Sequence, residues 1–193
     1  MIAIVDYGVG NIKNVERAVA HLGYDAKLTR DFDEIRESSH IILPGVGHFK
    51  DAMTALKDTG LDQLLIELKD SKPFIGICLG MQVMFEHSDE GDVDGIGMIP
   101  GRVVPIQTTY PVPHLGWNNL ESTHPLLHQD VYFIHSYYVQ TKAPIIATAD
   151  YGLPITAIVQ SDNKIGIQFH PEKSGDFGLE ILNQALKGGF LHD

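Results

Sequence analysis

The chain holds one cysteine in 193 residues, set between glycines in Gly76-Ile77-Cys78-Leu79-Gly80. A lone free cysteine commonly packs as a small buried hydrophobe, so its setting must argue for chemistry. Here an apolar run, residues 74–78, meets a helical pattern that begins at Leu79. This is the cysteine counterpart of the G-x-S-x-G elbow, a strained strand-to-helix turn that exposes a nucleophile at the top of a sheet. The glycines allow the tight turn and leave room beside the side chain. The sulfur then lies near a helix N-terminus, where free N–H groups and partial positive charge favour a thiolate. An unperturbed thiol of pKa about 8.5 is only about 3% ionised at pH 7, so such help matters.

A nucleophile needs a base. Of ten histidines, one has a distinctive position. Residues 164–169 alternate as a strand and lead into His170-Pro171-Glu172. His170 thus lies just past a strand's C-terminal end, as Cys78 does. Glu172 can fold back across the proline and accept a hydrogen bond from the imidazole. Such a partner fixes tautomer and ring orientation in nucleophile–histidine–acid triads. Alone, His170 reads as a satisfied surface histidine. With the elbow, the pattern reads as Cys78 attacking, His170 moving the proton and Glu172 orienting it.

For these residues to meet, their strands must end at one edge of one sheet, which is where ligands bind in open α/β folds. The rest of the sequence fits that demand. Residues 2–6 form an apolar run, then Tyr7-Gly8-Val9-Gly10-Asn11 turns the chain. Ile12, Val15, Val19 and Leu22 follow at helical spacing, ending at Gly23. Short strands are expected at 25–29 and 39–43, helices at 49–56 and 61–68, a strand at 74–78, and a helix from 79 to about 86. Residues 88–97 read as an acidic loop. This alternation predicts a parallel sheet with helices on both faces. After Pro100 the rhythm changes: residues 102–106, 131–134, 145–148, 156–160 and 164–169 read as strands without helices between them. Antiparallel additions to the parallel core are expected, then a closing helix over about 177–186. With no linker or repeat, residues 1–193 read as a single domain.

Composition narrows the classes. Formal charge is −11 and the pI near 5.2, which argues against a nucleic-acid footprint of clustered Lys and Arg. No run approaches the roughly 18 apolar residues of a membrane helix. The N-terminus lacks a basic flank and a small-residue cleavage site, so no signal peptide is read there and a cytoplasmic location is expected. One cysteine makes no intramolecular disulfide and no multi-cysteine zinc site. No metal and no cofactor are expected.

The blocks GICLGMQ around Cys78 and QFHPEKSG around His170 resemble the two signatures of class I (triad) glutamine amidotransferases. Together with YGVGN near the start, PGVGHF at 44–49, GWN at 116–118 and HSYY at 135–138, they are most similar to glutaminase subunits of imidazole glycerol phosphate synthases. The resemblance spans nearly the whole chain in the expected order. It implies a flavodoxin-like three-layer α/β fold, with a mostly parallel sheet and antiparallel additions in the C-terminal half. It also implies hydrolysis of glutamine to glutamate and ammonia through a thioester on Cys78. Val46, Gly47 and the Leu79 N–H would stabilise the oxyanion, and glycines either side of Val46 should let that peptide reorient at little steric cost. Gly45, Gly47, Gln82, Ser136 and Tyr137 would hold glutamine, with Glu90 near its amino group; Glu90 reads equally as a solvated loop carboxylate. The ammonia would pass to a separate (β/α)8-barrel synthase subunit that makes imidazole glycerol phosphate and an aminoimidazole carboxamide ribotide in histidine biosynthesis. Trp117, Asn118 and Tyr138 are the candidate contacts to that partner, and Trp117 fits a core position equally. The nearest alternative is the glutaminase of pyridoxal phosphate synthase, whose usual GGES-type oxyanion segment is replaced here by PGVG. A cysteine peptidase or γ-glutamyl hydrolase is disfavoured by the full set of blocks.

Overall fold

The computed structural model describes residues 1–10 and 12–191; Asn11, the last residue of the YGVGN block, lies outside them. The first half alternates as expected. It runs β1 (Ile2–Val5), α1 (Ile12–His21), β2 (Ala26–Thr29), α2 (Phe32–Glu37), β3 (His40–Leu43), α3 (Phe49–Thr59), α4 (Leu61–Leu68) and β4 (Phe74–Ile77). A single helical turn, α5 (Leu79–Gln82), follows, then β5 (Phe85–Ser88), β6 (Val93–Asp94), β7 (Ile99–Pro105), β8 (His114–Asn119), β9 (Asp130–His135) and β10 (Tyr137–Gln140). The chain ends with β11 (Ile145–Asp150), β12 (Pro154–Ser161), β13 (Lys164–Ile167), a 3-10 turn (Pro171–Lys173) and α6 (Gly175–Leu186).

The main sheet has seven strands in the order β11-β12-β13-β4-β3-β1-β2. Its middle is parallel, and β11 and β12 join one side antiparallel. Strand alternation divides the core between its faces. Ile2, Ile4, Ile75, Ile77, Ile165 and Ile167 pack with Val15 and Val19 of α1 and Ile181 and Leu182 of α6. Ala3, Val5, Ile41, Leu43 and Phe74 point the other way, against Ile35 of α2, Met53 and Leu56 of α3, and Leu64 and Leu65 of α4. Strands covered on both faces lose the apolar–polar alternation, which is why they read as unbroken apolar runs. Each such side chain contributes about 1.5–3 kcal/mol by burial.

Three expectations need correction. The helix after Cys78 ends at Gln82, not near Glu86. The N–H groups of Ile96, Met98 and Gly97 reach the carbonyls of Val83, Met84 and Phe85, tying this stretch to the segment after β6. Wholly buried Phe85 then begins a strand. The acidic stretch is likewise not all loop, because β6 pairs antiparallel with β5. Third, only β11 and β12 extend the main sheet antiparallel. The strands β10-β7-β5-β6 form a second, four-stranded sheet, and β8-β9 a two-stranded one. Helix α2 was not anticipated; Asp31 caps it, accepting from the N–H groups of Asp33 and Glu34. Among the described residues no helix is long and apolar enough to cross a membrane.

Candidate active site

Strands β4 and β13 are hydrogen-bonded parallel neighbours with Ile77 opposite Ile167. Cys78 and the segment leading to His170 therefore leave the sheet at the same edge. The His170 N–H is tied to the Tyr132 carbonyl at 2.9 Å, which brings β9 over this edge. A cavity of about 360 Å³ opens between them, lined by Val46, Gly47, Cys78, Leu79, Gln82, Glu90, Pro113, Ile134, His135, Ser136, Tyr137 and His170.

Cys78 sits at φ 53°, ψ −113°, a conformation that a non-glycine residue adopts only under constraint. The constraint is packing. A Cβ on Gly80 would land on the Leu43 carbonyl, and one on Gly76 would stand 2.5 Å from Met84 Sδ. The glycines thus let the turn press against β3 and α5. Because α5 is a single turn, its dipole gives the sulfur less than a full helix would.

His170 Nδ1 and Glu172 Oε1 are 2.8 Å apart, with both side chains 2% exposed. Nδ1–H donates to the carboxylate, which leaves Nε2 as the imidazole's working nitrogen. Nε2 and Glu172 Oε2 are buried without a hydrogen-bond partner. Burial pushes the imidazole pKa down, but Cys78 and Glu172 outweigh it and raise it to about 10.

The oxyanion segment differs from expectation. Gly47 does adopt φ 104°, with open space where a Cβ would be. Gly45 is instead clamped. A Cβ there would stand 2.6 Å from Tyr7 Oη and 3.1 Å from the Gly80 nitrogen, and Tyr7 O–H itself donates to the Pro44 carbonyl at 2.6 Å. Freedom to reorient lies on the Gly47 side only. The Leu79 N–H already donates to the Gly45 carbonyl, at 3.3 Å.

Around the cavity, Glu90 is not a solvated carboxylate. It is 11% exposed, accepts from the Phe49 N–H at the start of α3 at 2.9 Å, and lies 3.6 Å from His48 Nδ1. The neighbouring acids have other partners: Asp89 pairs with Arg102, and Asp92 and Asp94 with His87. Gln82 lines the cavity, but its amide nitrogen is engaged by the Tyr137 carbonyl and Gln168 Oε1, each at 3.0 Å. Ser136 and Tyr137 contribute at the junction of β9 and β10. Trp117 is 58% exposed, which removes the core option, and it packs edge-on against Tyr132. Asn118 donates to the Asp150 carbonyl at 2.9 Å and contacts His114 Nε2 at 3.2 Å. Tyr138 is only 8% exposed, packed with Ile106 and Ile155. It cannot present a contact surface, because β10 turns it inward.

Sequence reasoning missed three groups. Tyr110, Val112 and Leu115 are further exposed apolar side chains, and alternation along β8 puts Leu115 on the face of Trp117. Buried Gln168 touches the sulfur, and its spacing of two from His170 was the available signal. The buried pair His114 and His135 carried no signal, since pairing depends on β8–β9 register.

The chain matches the family model for glutamine amidotransferase class-I over residues 3–187. Its relatives include imidazole glycerol phosphate synthase subunit HisH of Staphylococcus epidermidis, 58% identical over 193 residues and the whole of both chains. The HisH subunit of Staphylococcus aureus is 61% identical, again over the whole of both. That of Staphylococcus saprophyticus is 61% identical over all of this chain and 97% of its own length. A crystal structure of a glutamine amidotransferase superposes with TM-score 0.80 at 19% identity, over 97% of this chain and 100% of that one. A glutamine amidotransferase crystal structure from Thermotoga maritima gives 0.63 at 17% identity, over 96% and 82%. These structures show the shared fold, and the full-length relatives do not favour the pyridoxal phosphate synthase alternative. The chain belongs to the class-I glutamine amidotransferase family, within the HisH group of imidazole glycerol phosphate synthase subunits.

Proposed function

We propose that this chain hydrolyses glutamine through a Cys78–His170–Glu172 triad and hands the ammonia to a separate (β/α)8-barrel synthase subunit in the cytoplasm. The observation that carries this reading is the meeting of a strained Cys78, the free Nε2 of His170 and a buried His170–Glu172 pair at one cavity. His170, buried at the same cavity with Nε2 unpartnered, takes the cysteine proton. The thiolate attacks the side-chain carbonyl carbon of glutamine. The tetrahedral oxyanion then collapses, the C–N bond breaks, and His170 gives its proton to the departing ammonia. Water, deprotonated by His170, attacks the thioester; glutamate leaves and the sulfur recovers its charge partner.

The oxyanion needs donors, and losing one costs about 100- to 1,000-fold. The Leu79 N–H and the Val46–Gly47 peptide are the candidates. With the Leu79 N–H engaged by Gly45, the resting chain lacks one of them, which supports low activity until the partner docks. Glu90, Ser136 and Tyr137 line the glutamine pocket, and Trp117 with Leu115 forms the docking face, while Asn118 braces the strand from its other side through His114 and the Asp150 carbonyl. Aromatic residues favour such anchor positions. Channelling has a chemical reason: free ammonia in bulk water is mostly protonated and non-nucleophilic.

Glutamate release should be measured for the chain alone, then with a barrel partner and its nucleotide ligand. Low turnover alone, strong stimulation in the complex and complete loss in Cys78→Ala are expected. Full activity without a partner refutes the gating, and turnover in Cys78→Ala refutes the nucleophile.

A further inference from the structure

Cys78 Sγ has two polar neighbours outside the triad. The Ile134 carbonyl, 3.7 Å away, accepts from a thiol S–H. Gln168 Nε2, 3.8 Å away, donates to the sulfur. An accepting neighbour favours the thiol and a donating one the thiolate, so the sign depends on which end of the Gln168 amide faces Cys78.

The surrounding network decides this. Gln82 places one amide atom 3.0 Å from both the Tyr137 carbonyl and Gln168. A backbone carbonyl only accepts, so that atom is nitrogen. The Gln168 atom facing this nitrogen is then oxygen, and its NH2 group turns to the sulfur. The same carbonyl fixes a second arm. His135 Nδ1–H donates to it at 2.8 Å, leaving His135 Nε2 to accept from His114 Nδ1–H at 2.9 Å. His114 Nε2 in turn accepts from the Asn118 amide at 3.2 Å. Burial holds both imidazoles far below their usual range, His135 at about 3 and His114 at about 4, so neither protonates and reverses the order. Gln168 is 0% exposed, and Gln82, His135 and His114 are buried. A buried amide cannot turn without stranding its donors and acceptors.

We infer that Gln168 is a further catalytic residue, an N–H donor to the Cys78 sulfur that favours its thiolate, with Gln82 as the positioning residue that fixes its polarity through the Tyr137 carbonyl. This rests on Cys78 being the nucleophile. Other titratable groups also face the sulfur: His170 with Glu172 behind it, Tyr7 from the end of β1, His135 from β9 and Glu90 across the cavity. Burial keeps Tyr7 and His135 neutral over about pH 5 to 9.

Because Cys78 is the sole cysteine, iodoacetamide labelling of the full chain, followed by mass spectrometry over about pH 5 to 9, reads its thiolate directly. In Gln168→Met, which keeps length but removes the donor, the midpoint should rise by about half to one pH unit. Labelling below the midpoint should slow about three- to tenfold. Gln168→Glu, which sets a carboxylate against the sulfur, should raise the midpoint further. An unchanged midpoint in folded Gln168→Met overturns the proposal. If that variant does not fold, the side-chain amide protons of Gln168 in the native chain serve instead. Their NMR shifts should follow the Cys78 titration and vanish as a pH response after alkylation, and a pH-independent signal overturns the proposal. Labelling needs no glutamine turnover, so an unchanged midpoint leaves the glutaminase reading intact, while absent glutaminase activity leaves the midpoint comparison standing.

Discussion

Replacing Glu172 by glutamine tests the triad at its buried end. The substitution keeps the side-chain shape and removes the charge. The contact it alters is 2.8 Å long and 2% exposed on both sides, so solvent does not screen it. A hydrogen bond to a charged group contributes about 1.5–3 kcal/mol, and each 1.4 kcal/mol is tenfold, so kcat/KM for glutamine should fall about 10- to 100-fold. The loss should appear in kcat, because Glu172 supports the base and does not line the glutamine cavity. His170→Ala should cost more, since it removes the proton carrier itself. The pH profile adds a signed check. Burial lowers the His170 pKa, while Cys78 and Glu172 raise it to about 10. Without the carboxylate, burial opposes Cys78 alone and the value falls. Activity that needs the imidazolium is present below that pKa and lost as pH rises through it, so the alkaline limb should move to lower pH. The assay is glutamate release by the complex across pH, with an NMR titration of the His170 ring in the isolated chain. A kcat/KM within about twofold of the native value, with the alkaline limb unmoved, would sink the orienting role.

The buried histidines predict an acid-sensitive fold. His114 and His135 have folded-state pKa values held down at about 4 and about 3, so below about 6.5 the unfolded chain binds more protons and stability falls with pH. Urea unfolding at pH 7 and pH 5 should differ by about 2–4 kcal/mol, and by clearly less in a His114→Gln/His135→Gln double variant; equal differences refute the assignment. Gly80→Ala would drive a Cβ into the Leu43 carbonyl, where backbone meets backbone and neither can yield. A loss of about 3 kcal/mol or more is expected in thermal or urea unfolding, and a near-neutral result would mean the elbow has room. Trp117→Ala should weaken binding of the barrel partner about tenfold or more by calorimetry while leaving iodoacetamide labelling of Cys78 unchanged. Unaltered affinity would place the docking face elsewhere.

The parallel core was legible because each of its strands, buried on both faces, is an apolar run followed by a helical pattern. Cys78, His170 and Glu172 were legible because each motif is local: an elbow within five residues, a histidine and its acid across one proline. Less readable was everything set by contacts between distant segments. The helix after Cys78 stops at Gln82, and the carbonyls of Val83, Met84 and Phe85 bond N–H groups of residues 96–98, a pairing no local propensity encodes. Tyr138 looked like a surface aromatic beside Tyr137, yet the register of β10 on β7 turns it inward.

By itself, then, the sequence determined where strands end and which residues stand at those ends, since apolar period, glycines and proline act over a few residues. The tertiary structure decided how those ends meet. It clamped Gly45 against Tyr7, gave the Leu79 N–H to Gly45, turned Glu90 from a loop carboxylate into the partner of α3, and set Gln168 against the sulfur with a polarity dictated by the Tyr137 carbonyl. Buried polar atoms must find partners wherever the fold supplies them, and that supply is a property of the packed chain.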